Sequence, residues 1–198
     1  MLLLYSGGVC MRITGGLYRG RRVVCPPGII RPAMDRMRES LFSILGNLDE
    51  YSFLDLFSGS GLVGIEAASR GADPVHLVEM DYGKRKTIVQ NISFVESDIQ
   101  LFLQKAQKFI KSPKKSYDIV YADPPFPMAG KQPFTEAVSK SGIVKDTGIF
   151  IIHYPSEEKW EEKIGLFTCY DKRTYGRSIL RFFRYTDKPE VILKRARE

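Results

Sequence analysis

With 198 residues, 43% of them hydrophobic and 27% charged, the chain has material for one sizeable core and too little for two. Its three cysteines, Cys10, Cys25 and Cys169, are odd in number and far apart, which suggests neither a disulfide framework nor a metal site and fits a reducing cytoplasm. No segment has the pattern of a signal peptide or a membrane span, and a net charge of +7 favours a polyanionic partner, nucleic acid first.

In chain order, Met11-Arg12-Ile13-Thr14-Gly15-Gly16 reads as a natural beginning, so residues 1–10 are expected to form a disordered extension. Residues 12 to 24 predict a short hairpin around Tyr18-Arg19-Gly20, closed by the breaker Pro26-Pro27-Gly28. Met34, Met37, Leu41, Ile44 and Leu45 recur at helical spacing between Pro32, suited to a first turn, and the stop at Gly46. Residues 11–46 thus make a basic hairpin and helix ahead of a main domain at 47–186, with a charged tail at 187–198. Within the main domain, strands at 53–57, 75–79, 93–97, 117–122 and 148–154 alternate with helices at 62–70, 82–91, 99–110 and around 135–139. Such alternation predicts an α/β fold with a mostly parallel sheet covered by helices. A helix at 157–163, carrying Trp160, and a hairpin of 167–173 with 178–185 joined through Tyr175-Gly176 close the domain.

Two stretches carry chemistry. Phe53-Leu54-Asp55-Leu56-Phe57 runs into Ser58-Gly59-Ser60-Gly61-Leu62-Val63-Gly64, a G-x-G-x-x-G turn between strand and helix. Such a turn serves dinucleotides as well as other nucleoside cofactors. Asp55, four residues before the first glycine, separates the cases, because an acid at the strand end welcomes a cationic amino-acid moiety and repels a pyrophosphate. S-adenosylmethionine is therefore favoured over NAD. Glu79 closes the next strand, where it can accept both ribose hydroxyls. Asp98, read as the end of the third strand, can accept from an adenine amino group with Ile99 against the ring, although Asp98 also suits a plain helix cap.

The second stretch, Asp123-Pro124-Pro125-Phe126, follows a strand at the point where the ligand crevice of a parallel sheet opens. An exocyclic amine on a nucleobase is a poor nucleophile because its lone pair is delocalised into the ring. Asp123 accepting one amino hydrogen and the Pro124 carbonyl the other would draw that pair back onto nitrogen, with the prolines fixing the backbone and Phe126 stacking on the base. Most of the acceleration then comes from holding nitrogen and methyl carbon at about 3 to 3.5 Å in line with the leaving sulfur. Neither metal nor covalent nucleophile is required. His76 and His153 lie in or near strands and are read as packed or hydrogen-bonded. Arg12, Arg19, Arg21, Arg22, Arg31, Arg36 and Arg38 stand against the single acid Asp35 between positions 12 and 38, a composition suited to phosphate contacts.

The chain resembles the bacterial small-subunit (16S) ribosomal RNA guanine-N2 methyltransferases. The resemblance rests on Arg12-Ile13-Thr14-Gly15-Gly16 with Arg19-Gly20-Arg21, and on Arg31-Pro32 with Asp35-Arg36, Arg38-Glu39 and Leu41-Phe42. It continues through Asp55 to Gly61, Glu79-Met80-Asp81, Asp123 to Phe126 and Tyr175-Gly176. It implies a Rossmann-like class I methyltransferase fold, a seven-stranded sheet with an antiparallel last pair. It also implies binding of S-adenosylmethionine by Asp55, Phe57, Ser58, Gly59, Ser60, Gly61, Glu79 and Met80, and a guanine 2-amino acceptor in 16S ribosomal RNA of an assembling subunit. Three other readings compete: a DNA adenine N6-methyltransferase, for which the chain has no separate target-recognition domain; an NAD-dependent oxidoreductase, which leaves the proline pair unexplained; and a non-catalytic RNA-binding module, which leaves Asp55 and Asp123 without purpose.

Overall fold

The computed structural model describes residues 4–5, 8–25 and 32–187. Strands β1 (Leu4–Tyr5), β2 (Gly8–Arg12) and β3 (Arg22–Cys25) form a small antiparallel sheet in which Arg12 faces Arg22 and Cys10 faces Val24. The predicted hairpin is thus present, and it recruits positions 4–5 and 8–10, which the sequence reading left as a disordered extension. The reason is backbone pairing: Val9 and Cys10 continue the ladder opposite Cys25 and Val24. The breaker Pro26-Pro27-Gly28, Arg31 and the tail from 188 lie outside the described residues.

Helix α1 (Pro32–Leu45) follows, burying Met37, Leu41, Phe42 and Leu45 and stopping at Gly46, whose positive φ of 71° turns the chain. Then come β4 (Phe53–Leu56), α2 (Leu62–Ser69), β5 (Val75–Glu79), a 3-10 turn at Tyr82–Lys84 leading into α3 (Arg85–Ile92), and β6 (Ile99–Leu103). After these lie α4 (Ala106–Lys111), β7 (Tyr117–Ala122), α5 (Lys131–Lys140), β8 (Val144–Pro155), β9 (Lys163–Ile164), β10 (Phe167–Tyr175) and β11 (Ser178–Tyr185). The main sheet has the order β6-β5-β4-β7-β8-β11-β10-β9, parallel from β6 to β8 and antiparallel beyond. Seven of these strands are the expected ones in number, and two-residue β9 makes an eighth at the edge. No helix among the described residues is long and apolar enough to cross a membrane.

The central strands are apolar on both faces, and their alternation divides the core. Leu54, Val120, Phe150 and Ile152 face one layer with Ile110 of α4 and Phe134 and Val138 of α5. Phe53, Ile119, Tyr121 and Ile151, one residue out of phase, face the other layer with Leu41 and Phe42 of α1 and Ala67 and Ala68 of α2. Three predicted elements differ from the structure. Residues 93–97 follow the end of α3, and the strand starts instead at Ile99, where a helix was expected; Ile99 to Leu103 pair residue by residue with Val75 to Glu79. Ile-Gln-Leu-Phe-Leu is short enough to suit either period, and the free edge of β5 decides it. The helix predicted at 157–163 is a turn that leads into β9, with Trp160 stacked on Tyr154 at 4.2 Å between ring centroids.

The small sheet is fastened to α2 through one carboxylate. Glu66, fully buried, accepts the Thr14 and Gly15 backbone N–H groups at 2.9 and 3.0 Å, the Thr14 hydroxyl, and the Arg70 guanidinium at 3.1 Å. Ser69 extends the clamp, its hydroxyl donating to the Gly15 carbonyl and accepting the Tyr18 N–H. A side chain at Gly16 would collide with the Ser69 carbonyl oxygen at 1.7 Å, so the hairpin can lie this close only with glycine there.

Candidate active site

β4 ends one residue earlier than predicted, at Leu56, and Phe57 turns out of the strand with φ 66°. The turn from Ser58 to Gly61 then folds on itself: the Ser58 N–H donates to the Val78 carbonyl, and the Gly61 N–H to the Ser58 carbonyl. Gly61, at φ 80°, precedes α2. Gly64 has a different task, since a Cβ there would lie 2.2 Å from Leu77 Cδ2; only glycine lets α2 pack against β5.

Glu79 and Asp55 hold this turn from two sides. Glu79 Oε2 accepts the Gly59 N–H at 2.8 Å and Lys84 Nζ at 3.3 Å, while Oε1 accepts the Asp81 N–H at 2.9 Å. Asp55 Oδ2 accepts the Gly64 N–H at 3.1 Å. Burial pushes the Asp55 carboxyl well above its ordinary range; the Gly64 hydrogen bond opposes the shift, and the Asp123 and Glu79 charges add to it. Three acids at adjacent strand ends therefore share one electrostatic environment, which a cationic ligand relieves and an anionic one aggravates.

A cavity of about 1000 Å³ opens over the carboxyl ends of the strands. Phe57, Glu79 and Met80 line one part of it, and Asp123, Pro124, Pro125 and Phe126 another. The sequence reading placed these groups at separate strand ends, and parallel β4, β5 and β7 bring them to one crevice. Ser58, Gly59, Ser60 and Gly61 form the turn itself.

Asp98 and Ile99 do not join them. Because β6 begins at Ile99, Asp98 sits before the strand at the opposite edge of the sheet, exposed, with its carbonyl accepting the Val75 N–H and its carboxylate accepting from Gln100. The assignment of an adenine contact to either residue is thereby corrected. Lys105 and Gln107, just past the other end of β6, line the cavity instead. Placing that strand correctly would have found them by the strand-end rule.

The loop from Asp123 is held at both ends. The Asp123 N–H donates to the Leu56 carbonyl, tying it to β4. Lys131, 2% exposed, donates from Nζ to the Phe126 carbonyl at 2.7 Å, to the Met128 carbonyl at 2.8 Å and to Glu158. The sequence carried no sign of this lysine, since its partners are backbone oxygens and an acid 27 residues away. His76 is packed as expected, with Nδ1 2.6 Å from the Tyr117 hydroxyl. His153 is hydrogen-bonded as expected, but to Asp123 in the cavity wall.

Of the arginines, Arg12, Arg19, Arg21, Arg22 and Arg36 are exposed. Arg21 lies over the Phe94 ring at 4.7 Å, which fixes its direction without hiding it. Arg38 is a correction: it is 5% exposed, and its Nη2 donates to the Arg12 carbonyl and to Asp35. It joins α1 to the small sheet and offers nothing to a phosphate.

Among proteins of known sequence, the chain is 36% identical over 126 residues to the ribosomal RNA small subunit methyltransferase D of Escherichia coli, an alignment that takes in 62% of this chain and 63% of that one. The chain thus spans less than two thirds of that relative's length. The putative rRNA methyltransferase YlbH of Bacillus subtilis is 27% identical over 84% of this chain and 94% of its own length. Among solved structures, the putative methyltransferase YhhF of Escherichia coli superposes with a TM-score of 0.76 at 25% identity, covering 89% of this chain and 98% of that one. The model of the family described as conserved hypothetical protein 95 matches residues 11–184. A match that begins within β2 and ends within β11 takes in all five helices and nearly the whole main sheet, and the chain therefore belongs to the conserved hypothetical protein 95 family.

Proposed function

We propose that this chain is an S-adenosylmethionine-dependent methyltransferase that acts on the 2-amino group of a guanine in small-subunit (16S) ribosomal RNA of an assembling subunit. The observation that carries the reading is that Asp123 to Phe126 and Glu79 line one cavity, and that Glu79 is bonded to Gly59 of the glycine turn. The residues present fit the cofactor. Glu79 stands where ribose hydroxyls would be accepted, and the clustered carboxylates of Asp55, Glu79 and Asp123 suit a ligand bearing a sulfonium and an ammonium. The same cluster disfavours the pyrophosphate of NAD. The named relatives in Escherichia coli and Bacillus subtilis support ribosomal RNA over DNA, and the Arg31 to Phe42 block supports guanine.

When bound, the cofactor supplies an electrophilic methyl group. In this reading Asp123 and the Pro124 carbonyl take the two amino hydrogens of the acceptor, and Phe126 stacks on its ring. Lys131 keeps the loop in shape by holding the carbonyls on its far side. An unpaired nucleotide reaches the cavity at least cost, because no base pair has to be broken. The deciding experiment is labelled methyl transfer to naked 16S RNA and to small subunits lacking the modification, followed by mapping of the product. Methyl on adenine, or on DNA alone, would replace the guanine reading.

Two further outcomes are expected. Asp55 has an ordinary value of 3.8 and is raised in the folded protein, so between those values it holds a proton that the unfolded chain has released. Its stabilising effect is complete below 3.8 and disappears as pH climbs through the raised value. A cationic cofactor favours the ionised form, so binding in that window expels a proton and affinity rises with pH. Calorimetry in buffers of different ionisation enthalpy should show the release, and Asp55→Asn should abolish it; equal heats in all buffers would exclude the linkage. The second concerns RNA. Replacing Arg19, Arg21 and Arg22 by alanine is expected to weaken binding and to flatten the dependence of log affinity on log salt by about 0.7 to 0.9 for each phosphate that is no longer neutralised. An unchanged slope would move the RNA surface away from the hairpin.

A further inference from the structure

His153 lies on central strand β8, paired across to Leu180 of β11, and is 1% exposed. Its Nδ1 is 2.7 Å from Asp123 Oδ1. A carboxylate oxygen accepts, so the hydrogen between them belongs to the imidazole Nδ1. The other ring nitrogen, Nε2, is buried without a hydrogen-bond partner among the described residues. An apolar side chain would fill this position without leaving a polar atom unsatisfied, so packing alone does not account for a half-satisfied imidazole. The ring touches the motif twice: Phe126 stands edge-on to it, with centroids 5.1 Å apart and planes at 63°. Asp123 retains 28% side-chain exposure, and Asp123, Phe126 and His153 all line the cavity.

We propose that His153 is a positioning residue for amino methylation, using Nδ1–H to hold Asp123 Oδ1 so that the second carboxylate oxygen faces the acceptor amine, and bracing Phe126 with the same ring. The inference rests on the methyltransferase reading above. The physical need is specific. The terminal torsion of an aspartate is broad, and an unheld carboxylate at the cavity mouth samples orientations that do not meet the amine. The part of β8 that carries His153 is buried and paired on both sides, to β7 and to β11, so a donor mounted on it removes that freedom before substrate arrives.

The test compares His153→Leu with His153→Asn in the full chain, using labelled S-adenosylmethionine and small subunits lacking the modification. Asparagine Nδ2 can take up the position of the imidazole Nδ1 and donate to Asp123; leucine fills the space and cannot donate. The expected result is a kcat about 10- to 100-fold lower for His153→Leu, the scale of a misplaced reacting group, with KM for cofactor and RNA within about twofold. His153→Asn should recover most of that loss. Equal kcat for the two variants, or no loss in either, would overturn the positioning role while leaving the methyltransferase reading intact. Absence of methyl transfer by the unsubstituted protein would instead remove the functional reading. Should His153→Leu fail to fold, proton NMR of the unsubstituted chain decides: a downfield imidazole N–H that disappears in Asp123→Ala supports the contact, and a spectrum unchanged by that substitution refutes it.

Discussion

Asp123→Ala is expected to lower methyl transfer by about 10²- to 10³-fold, the scale on which removal of one preorganised hydrogen-bonding group acts at a reacting centre. S-adenosylmethionine should bind the variant nearly as well as it binds the unsubstituted chain. The expectation follows from the division of labour in the cavity. Glu79 and the Ser58 to Gly61 turn are held by hydrogen bonds among themselves, to Val78 and to Lys84. Asp123 contributes none of those bonds. What it contributes is a negative charge that helps raise the Asp55 carboxyl and, in the proposed reading, an acceptor for the amine. Removing that charge takes away some attraction for a cationic cofactor and also eases the repulsion on Asp55, so the two effects on cofactor binding oppose each other. Equilibrium dialysis with labelled cofactor and single-turnover transfer to subunits separate the two effects. Near-unchanged turnover would withdraw Asp123 from the chemistry, and failure to bind cofactor would move it to the cofactor side. Asp123→Asn refines the result, because an amide can keep the His153 hydrogen bond while removing the charge.

Glu66→Ala is expected to destabilise the fold by about 3 to 5 kcal/mol, the cost of deleting one partner from a buried charged network. At this chain length that corresponds to a fall of about 6 to 20 °C in melting temperature. The carboxylate is wholly buried, and its removal strands the Thr14 and Gly15 N–H groups and leaves the Arg70 guanidinium without its 3.1 Å partner. Arg38, whose Nη1 lies 4.0 Å from Glu66, loses the second of its two carboxylate neighbours and keeps Asp35. Thr14 and Gly15 belong to the segment that presents Arg12, Arg19, Arg21 and Arg22. A second consequence therefore follows: RNA affinity should drop although Glu66 itself touches no ligand. Thermal unfolding and RNA binding below the melting transition measure the two effects. A variant that melts normally would show that the clamp is not what holds the small sheet. One that melts low but binds RNA as before would show that the hairpin binds independently of its seat.

The elements that the sequence reading located were those with a strong period and clear stops. Pro32 to Gly46 is bounded as predicted because its apolar stripe lies between a proline and a glycine. Val75 to Glu79 and Tyr117 to Ala122 are recovered in full because each is a short apolar run in a continuous alternation of strands and helices. The segment from Ser93 to Ile110 was misread because its apolar residues suit either period, and the error carried Asp98 and Ile99 to the wrong edge of the sheet. Arg38 was misread for a related reason: an arginine facing Glu66, Asp35 and a backbone carbonyl looks, in sequence, like its exposed neighbour Arg36.

By itself the sequence determined the fold class, the glycine turn, the acids Asp55 and Glu79 and the position of the Asp123 to Phe126 motif after a strand, since each depends on residue types at short spacing. Tertiary structure decided the rest. It set which acid shares a cavity with which, through the parallel pairing of β4 with β5 and β7. It buried one arginine of the basic block and exposed five, and it bonded Lys131 and His153 to the Asp123 to Phe126 loop. Lys131 and Glu158 are 27 positions apart and His153 and Asp123 are 30, and no local pattern encodes a contact that exists only because two elements lie side by side.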